Sequence, residues 1–139
     1  GMFAWAGSRT QPGGLYRLRA TGRPSWLPKN LTTHADGLTI ELTDAVDVQA
    51  AADPNRYAIK AWSLKRTANY GSEHYDEHPL EVKNVTVREG GHAIRLTVPE
   101  LARTWCMEIV CELPTPDGRT ERRVIHNTIH TLGETKNPR

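Results

Sequence analysis

The sequence has few cysteines: only Cys106 and Cys111 among 139 residues. Both lie in an apolar run with strand-like alternation, where about 3.3 Å per residue would separate their Cα atoms by roughly 16 Å. They would also lie on opposite faces of the strand. A disulfide requires Cα atoms within about 7 Å of each other, so these two cysteines cannot be joined. We therefore expect two unpaired thiols. The cysteines do not indicate whether the protein works in an oxidising or a reducing compartment. A Cys-x-x-Cys-His haem-attachment motif is also missing.

Long apolar runs and a strong charge of one sign are missing too. No stretch approaches the roughly 18 apolar residues of a membrane-spanning helix, and the start has no signal-peptide pattern. The 18 basic and 16 acidic side chains give a net charge of +2 and are scattered, so nucleic-acid binding is not indicated. The opening Gly1-Met2 indicates a segment taken from a longer polypeptide.

A two-residue hydrophobic period runs from Leu38 to Thr128 and predicts strands. The strongest strand is expected at Trp105 to Leu113, where alternate residues face the core: Trp105, Met107, Ile109, Cys111 and Leu113. Six or seven short strands separated by Gly, Pro and Asp turns predict an all-β fold, a β-sandwich of about seven strands. We place the sandwich at residues 29–133 and a frayed tail at 134–139.

Residues 1–28 are rich in glycine, proline and aromatic side chains. They contain one strand-like piece, Gly14 to Ala20, which ends at a Gly-Arg-Pro turn. The aromatic side chains gain stability by packing on something: Phe3, Trp5, Tyr16 and Trp26. We expect this N-terminal extension to be the end of a preceding domain plus a linker near Leu27.

Two details of the strands are predicted from the phase of their apolar residues. Leu80 and Val82 are out of phase with Val85 and Val87, so a β-bulge is expected near Lys83-Asn84. In the last strand, Thr120 to Thr128, the neighbours Val124 and Ile125 indicate burial on both faces.

The polar, aromatic loop from Arg66 to His78 is the candidate binding surface. Aromatic platforms with a few placed polar groups are typical of ligand sites. Here such a site would stack a sugar ring and hydrogen-bond its hydroxyls, using Trp62, Tyr70, Tyr75, Arg66, Asn69 and Asp76. The same loop could instead dock on a neighbouring domain, or its side chains could pack on one another.

Two His-x-x-x-His pairs, His74/His78 and His126/His130, are the candidate metal ligands. With Asp76 or Glu77 they would offer the imidazole and carboxylate donors that suit zinc. In a strand, residues four apart are about 13 Å apart, so a shared site needs one histidine from each pair. The alternative is that these histidines make hydrogen bonds that order the loop. A metal site here would be structural rather than catalytic.

Catalysis by the chain itself is not expected. The nearby acids are typical of solvated surface residues, and Cys111 is expected to point into the core. No nucleophile is paired with a positioned base, and Gly13-Gly14 and Gly90-Gly91 are turn glycines rather than a phosphate loop.

Two resemblances add to this interpretation. Thr39 to Trp62, with its Asp53-Pro54-Asn55 turn, resembles bacterial immunoglobulin-like domains of the S-layer and copper-resistance type. More closely, three segments resemble the C-terminal region of large secreted, sorbosone-dehydrogenase-like proteins of planctomycetes: Ala61 to Leu80, Trp105 to Ile109 and Ile125 to His130. Those proteins carry a β-propeller and often a haem-binding segment, and Gly14 to Leu18 resembles a closing propeller strand.

The second resemblance implies an immunoglobulin-like, non-catalytic accessory domain that packs on a catalytic propeller. It implies no cofactor in this chain, and a secreted, periplasmic or cell-surface location. The alternative is a small carbohydrate- or metal-binding domain that uses the Arg66–His78 loop and the His126/His130 segment.

Overall fold

The structure, a computed structural model, describes residues 15–134 as eight strands in two facing antiparallel sheets. The strands are β1 (Pro28–His34), β2 (Gly37–Leu42), β3 (Tyr57–Ser63), β4 (Tyr75–Leu80), β5 (Asn84–Arg88), β6 (Ala93–Thr97), β7 (Thr104–Pro114) and β8 (Thr120–Ile129). Three short 3-10 helices complete the secondary structure: Ala50–Ala52, Pro54–Arg56 and Glu89–Gly91. Within residues 15–134 no helix is long and apolar enough to cross a membrane.

The strand orders are those of an immunoglobulin-like sandwich. One sheet has the order β1-β2-β6-β5 and the other β4-β3-β7-β8. The chain changes sheet after β2, β4 and β6, which gives the immunoglobulin arrangement with one added strand, β4. The predicted all-β sandwich is confirmed, with eight strands in place of about seven.

The core lies between the sheets and is formed by the predicted alternation. Leu38, Ile40 and Leu42 of β2 are at most 1% exposed, and Met107 and Ile109 of β7 are fully buried. Because successive strand residues point to opposite faces, the intervening positions face outward. Cys111 is buried in this core, where desolvation raises the pKa of its thiol to about 12.

The β-bulge predicted near Lys83-Asn84 is wrong. Leu80 ends β4 in one sheet, and Val85 lies in β5 of the other sheet. Both side chains are buried. The change of phase arises because residues 81–83 carry the chain from one sheet to the other.

Two exposed side chains in the second sheet were predicted to be buried. Trp105 is 64% exposed, because an extra residue between Thr104 and Met107 breaks the alternation of β7 against β8. Val124 is 39% exposed, because β8 is an edge strand whose outer face nothing covers within the described chain.

Trp26 fixes the start of the sandwich. Its indole is 6% exposed and joins the core, and its Nε1 donates a hydrogen bond to the Ala45 carbonyl at 2.9 Å. The Asp44 carboxylate accepts hydrogen bonds from the backbone N–H groups of Ser25 and Trp26. The bond from Ser25 is the largest cause that lowers the pKa of Asp44. The Arg123 guanidinium of β8 donates hydrogen bonds to the backbone carbonyls of Ser25 and Trp26.

Residues 15–24, here called the N-terminal segment, precede this anchor and form no strand with the sandwich. Leu15, Tyr16 and Leu18 are 104%, 83% and 96% exposed. The predicted strand-like piece therefore makes no sheet pairing within the described chain. Phe3, Trp5 and Gly14 lie outside the described residues, as do residues 135–139 of the tail.

Candidate functional site

The candidate loop connects β3 to β4 at one side of the sheet β4-β3-β7-β8. After the loop, β4 pairs with β3. The register of this pairing shifts by one residue between Tyr75 and His78. Asp76 lies in this irregularity with a φ of 54°, in the left-handed region. The bulge thus places His74 and Glu77 on the outer face of the sheet, above β3.

Trp62 is the centre of a compact cluster on that outer face. Its indole, 7% exposed, stacks under the His74 ring at a centroid distance of 4.2 Å. His74 Nδ1 donates to Glu77 Oε2 at 2.5 Å, and Lys60 Nζ lies 3.5 Å from the other Glu77 oxygen. The same ammonium is 5.6 Å from the indole centroid. These four residues form what we call the Trp62 cluster.

Charge complementarity continues across the sheet from this cluster. Lys60 Nζ is 3.6 Å from Glu108 Oε1, and His126 Nε2 is 3.7 Å from the other Glu108 oxygen. These residues face one another because Lys60 pairs with Glu108, and Glu108 with His126, in the strand register. Exposed ion pairs each contribute little, about 0–1 kcal/mol. The contacts among Lys60, Glu108 and His126 therefore order these surface side chains more than they stabilise the fold.

The three aromatic side chains expected to form a sugar platform lie apart. Trp62 is covered by His74, whereas Tyr70 is 102% exposed at the loop tip. Tyr75 is half-buried, with Lys65 Nζ 4.3 Å from its ring centroid. Tyr70 and Tyr75 line a groove of about 400 Å3 that also includes Asn69. Arg66 lines a different groove, described below.

The four candidate metal-binding histidines have four different partners. His74 bonds Glu77, and His78 Nδ1 donates to the Asp76 carbonyl at 2.7 Å. His126 faces Glu108, and His130 makes an edge contact with Trp105. Within residues 15–134 no group of three or more His, Cys, Asp or Glu side chains is placed to hold a metal ion.

Cys106 is the thiol nearest to the candidate site. It lines a groove of about 220 Å3 with Trp62 and His126. No hydrogen bond joins its sulfur to an imidazole nitrogen in the described part of the chain. The arrangement gives Cys106 no positioned base.

Trp105 is a surface residue that the sequence pattern placed in the core. It lines one groove of about 400 Å3 with Leu64, Arg66 and Asn69, and another of about 340 Å3 with Arg103, Ile129 and His130. The signal that could have revealed it is the polar run Arg103-Thr104 at the start of the strand.

The Trp62 cluster makes a testable prediction about the pKa of Glu77. The hydrogen bond from His74 is the largest cause that lowers this pKa from its usual 4.5, and Lys60 adds to it. His74→Ala is therefore expected to raise the pKa of Glu77 toward 4.5, measured by NMR titration of its side-chain carboxyl. His78→Ala is the matched control, because His78 bonds a carbonyl and not Glu77. An unchanged pKa in His74→Ala would contradict the geometry of the cluster.

The depressed pKa also sets the pH range in which the contact stabilises the loop. The pKa of Glu77 is lower in the folded state than in the unfolded state. Its ionised carboxylate therefore stabilises the fold fully above about pH 4.5. This stabilisation is lost as the pH falls through the folded-state pKa.

Comparison of the chain with family models, with curated proteins and with solved structures finds no significant match.

Proposed function

We propose that this chain is a non-catalytic interaction domain that docks on a neighbouring β-sheet domain through residues 15–20. The neighbour would be the β-propeller that the sequence resemblance implies, within the same secreted, dehydrogenase-like polypeptide. The observation that carries the proposal is the full exposure of Leu15 and Leu18 in the segment that precedes the buried Trp26.

The chemistry of residues 15–20 suits the addition of a strand to another sheet. Leu15, Tyr16 and Leu18 present apolar surface, and Arg17 and Arg19 lie between or beside them. The backbone groups of these six residues make no hydrogen bond with the rest of the described chain. An open sheet edge binds a segment with unpaired backbone groups and apolar side chains at alternate positions, as Tyr16 and Leu18 provide here.

The anchor at Trp26 would fix where the neighbouring sheet lies. The core packing of the indole, together with Asp44 and Arg123, holds Ser25 and Trp26 against the sandwich. From Leu18 to Trp26 is eight residues, which span at most about 28 Å. The edge strand of the neighbouring sheet would therefore lie within about 28 Å of Trp26. This short connection would restrict the motion of the two domains relative to each other.

The contacts of the candidate loop order the loop itself, as a docking domain requires. Lys65 N–H donates to Ser72 Oγ, and the Trp62 cluster closes the end of the loop on β3. A sugar site built from Trp62, Tyr70 and Tyr75 together has weaker support, since Trp62 is covered. The dehydrogenase chemistry and any haem would belong to the neighbouring domain, and we propose a secreted, periplasmic or cell-surface location on the same resemblance.

Limited proteolysis with trypsin tests the proposal, because Arg17 and Arg19 lie in the segment itself. In the isolated chain, cleavage there is expected to be as fast as at Arg66 in the exposed β3–β4 loop. In the longer polypeptide, Arg17 and Arg19 are expected to be protected while Arg66 stays sensitive. Leu18→Asp in the longer polypeptide should restore cleavage. Equal cleavage of Arg17 and Arg19 in both forms would overturn the proposal.

A further inference from the structure

We propose that Trp105 is the platform of a separate binding site whose ligand is an acidic oligosaccharide, a chain of sugar rings that carry carboxylate or sulfate groups. The site consists of Trp105, Lys65, Arg66 and Arg103. It shares no residue with the docking segment 15–20 and does not depend on it.

The indole of Trp105 is available for stacking. It is 64% exposed near the start of β7, where the bulge interrupts the alternation of the strand. His130 meets it edge-on at a centroid distance of 6.5 Å. Aromatic faces carry negative charge density, so they attract the C–H groups on the apolar face of a sugar ring. An exposed tryptophan on a central strand is thus a ready platform for one ring.

Two open grooves lie beside this platform, which allows a ligand longer than one ring. The groove toward the β3–β4 loop has a volume of about 400 Å3 and is lined by Lys65, Arg66, Thr67 and Asn69 among others. The groove toward β8 has about 340 Å3 and includes Arg103. A chain lying across Trp105 would therefore enter both grooves.

The charge of the two grooves selects an anion. Lys65, Arg66 and Arg103 line them, and neither groove is lined by an Asp or Glu side chain within the described residues. Arg66 and Arg103 form no ion pair and no side-chain hydrogen bond in residues 15–134. Elsewhere in the same sheet, Lys60 and Arg122 are paired with carboxylates. Unpaired guanidinium groups bind carboxylate or sulfate oxygens in bidentate fashion.

Two carboxylates line grooves that adjoin the site and limit the path of the ligand: Glu73 beside the loop groove and Glu100 beside Trp105. Glu100 lines a smaller groove of about 160 Å3 beside Trp105, on the side of His78 and Leu80. Its negative charge would repel an anionic chain there. The ligand is therefore expected to run from the loop groove, over Trp105, to the groove toward β8.

The surroundings favour a sugar over a peptide. The backbone of β7 is paired on both sides, with β3 and with β8, so no strand can be added at Trp105. Neutral hydrogen-bonding side chains line the loop groove: Thr67, Asn69 and Ser72. Hydroxyl and amide groups of this kind suit sugar hydroxyls.

Isothermal titration calorimetry on the whole chain tests the ligand class. The probes are a galacturonate tetramer, a sulfated disaccharide-repeat oligomer, a neutral cellotetraose and poly-glutamate. At least one acidic sugar is expected to bind, at least about tenfold more tightly than cellotetraose and poly-glutamate, and more weakly as salt rises. Which acidic sugar binds better identifies the anionic group. No binding by either acidic sugar would overturn the proposal, as would equal binding by cellotetraose or by poly-glutamate.

Substitutions then test the residues. Trp105→Ala is expected to weaken binding about tenfold and Trp105→Phe much less, because phenylalanine keeps an aromatic face. Arg66→Gln and Arg103→Gln should each weaken it at least about fivefold. Arg88→Gln, which removes an exposed charge from the opposite sheet, is the matched control and should change little. An equal loss in Arg88→Gln would mean that net charge alone attracts the sugar, and would overturn the site.

Discussion

Replacing Trp26 by alanine is expected to lower the free energy of unfolding by about 3–5 kcal/mol, the usual cost of emptying a large aromatic site in a core. The indole is 6% exposed and packs with the buried residues of both sheets. Its Nε1 hydrogen bond to the Ala45 carbonyl would also be lost. Urea unfolding followed by far-ultraviolet circular dichroism measures the change.

Trp105→Ala is the matched control for Trp26→Ala, because it makes the same substitution at a tryptophan that is 64% exposed. Exposed substitutions usually change stability by at most about 0.5 kcal/mol. If the two variants lost equal stability, Trp26 would not belong to the core. The N-terminal segment would then have no fixed anchor.

Ile109→Ala is expected to cost about 2–5 kcal/mol, the second large effect. Ile109 is fully buried at the centre of β7, between Ile59 of β3 and Ile125 of β8 in the strand register. The cavity left there lies where both sheets meet. The midpoint of urea unfolding should fall while the slope of the transition stays unchanged.

Val110→Ala on the same strand is the control for Ile109→Ala. Val110 faces outward beside Ala58 and Val124 and is only half-buried. Its truncation should cost less than about 1 kcal/mol. Equal losses from the two neighbours would contradict the assignment of one face of β7 to the core.

The sequence contains most of the information that determines the layers of the fold. Alternation in segments such as Leu38–Leu42 predicts which side chains meet between the sheets, because a strand has a period of two whatever its neighbours are. Turns marked by Asp36-Gly37 and Asp117-Gly118 are local and equally visible.

What the alternation cannot predict is where the chain changes sheet or where one strand carries an extra residue. The phase change after Leu80 has two explanations, a bulge or a crossing between sheets, and only the pairing partners distinguish them. The bulge at Trp105 depends likewise on the register of β8. For this reason the sequence pattern assigned Trp105 to the core, although the residue lies on the surface.

The candidate site was predicted only in part, for a related reason. The sequence identifies the β3–β4 loop as unusual, but the partner of each loop side chain depends on how the loop folds back. Trp62 becomes a support for His74, while Arg66 lines a groove together with Trp105, which is distant in sequence. No local pattern contains the placement of residues of β7 and of the loop around one groove.

The central claim is that residues 15–20 form a strand on a neighbouring sheet, and backbone hydrogen exchange measures this most directly. In the isolated chain these amides should exchange as fast as those of an unfolded peptide, while the amides of β7 stay protected. In the longer polypeptide, exchange at residues 15–20 is expected to slow by at least about 100-fold, as sheet pairing requires. Equally fast exchange in both forms would contradict the claim.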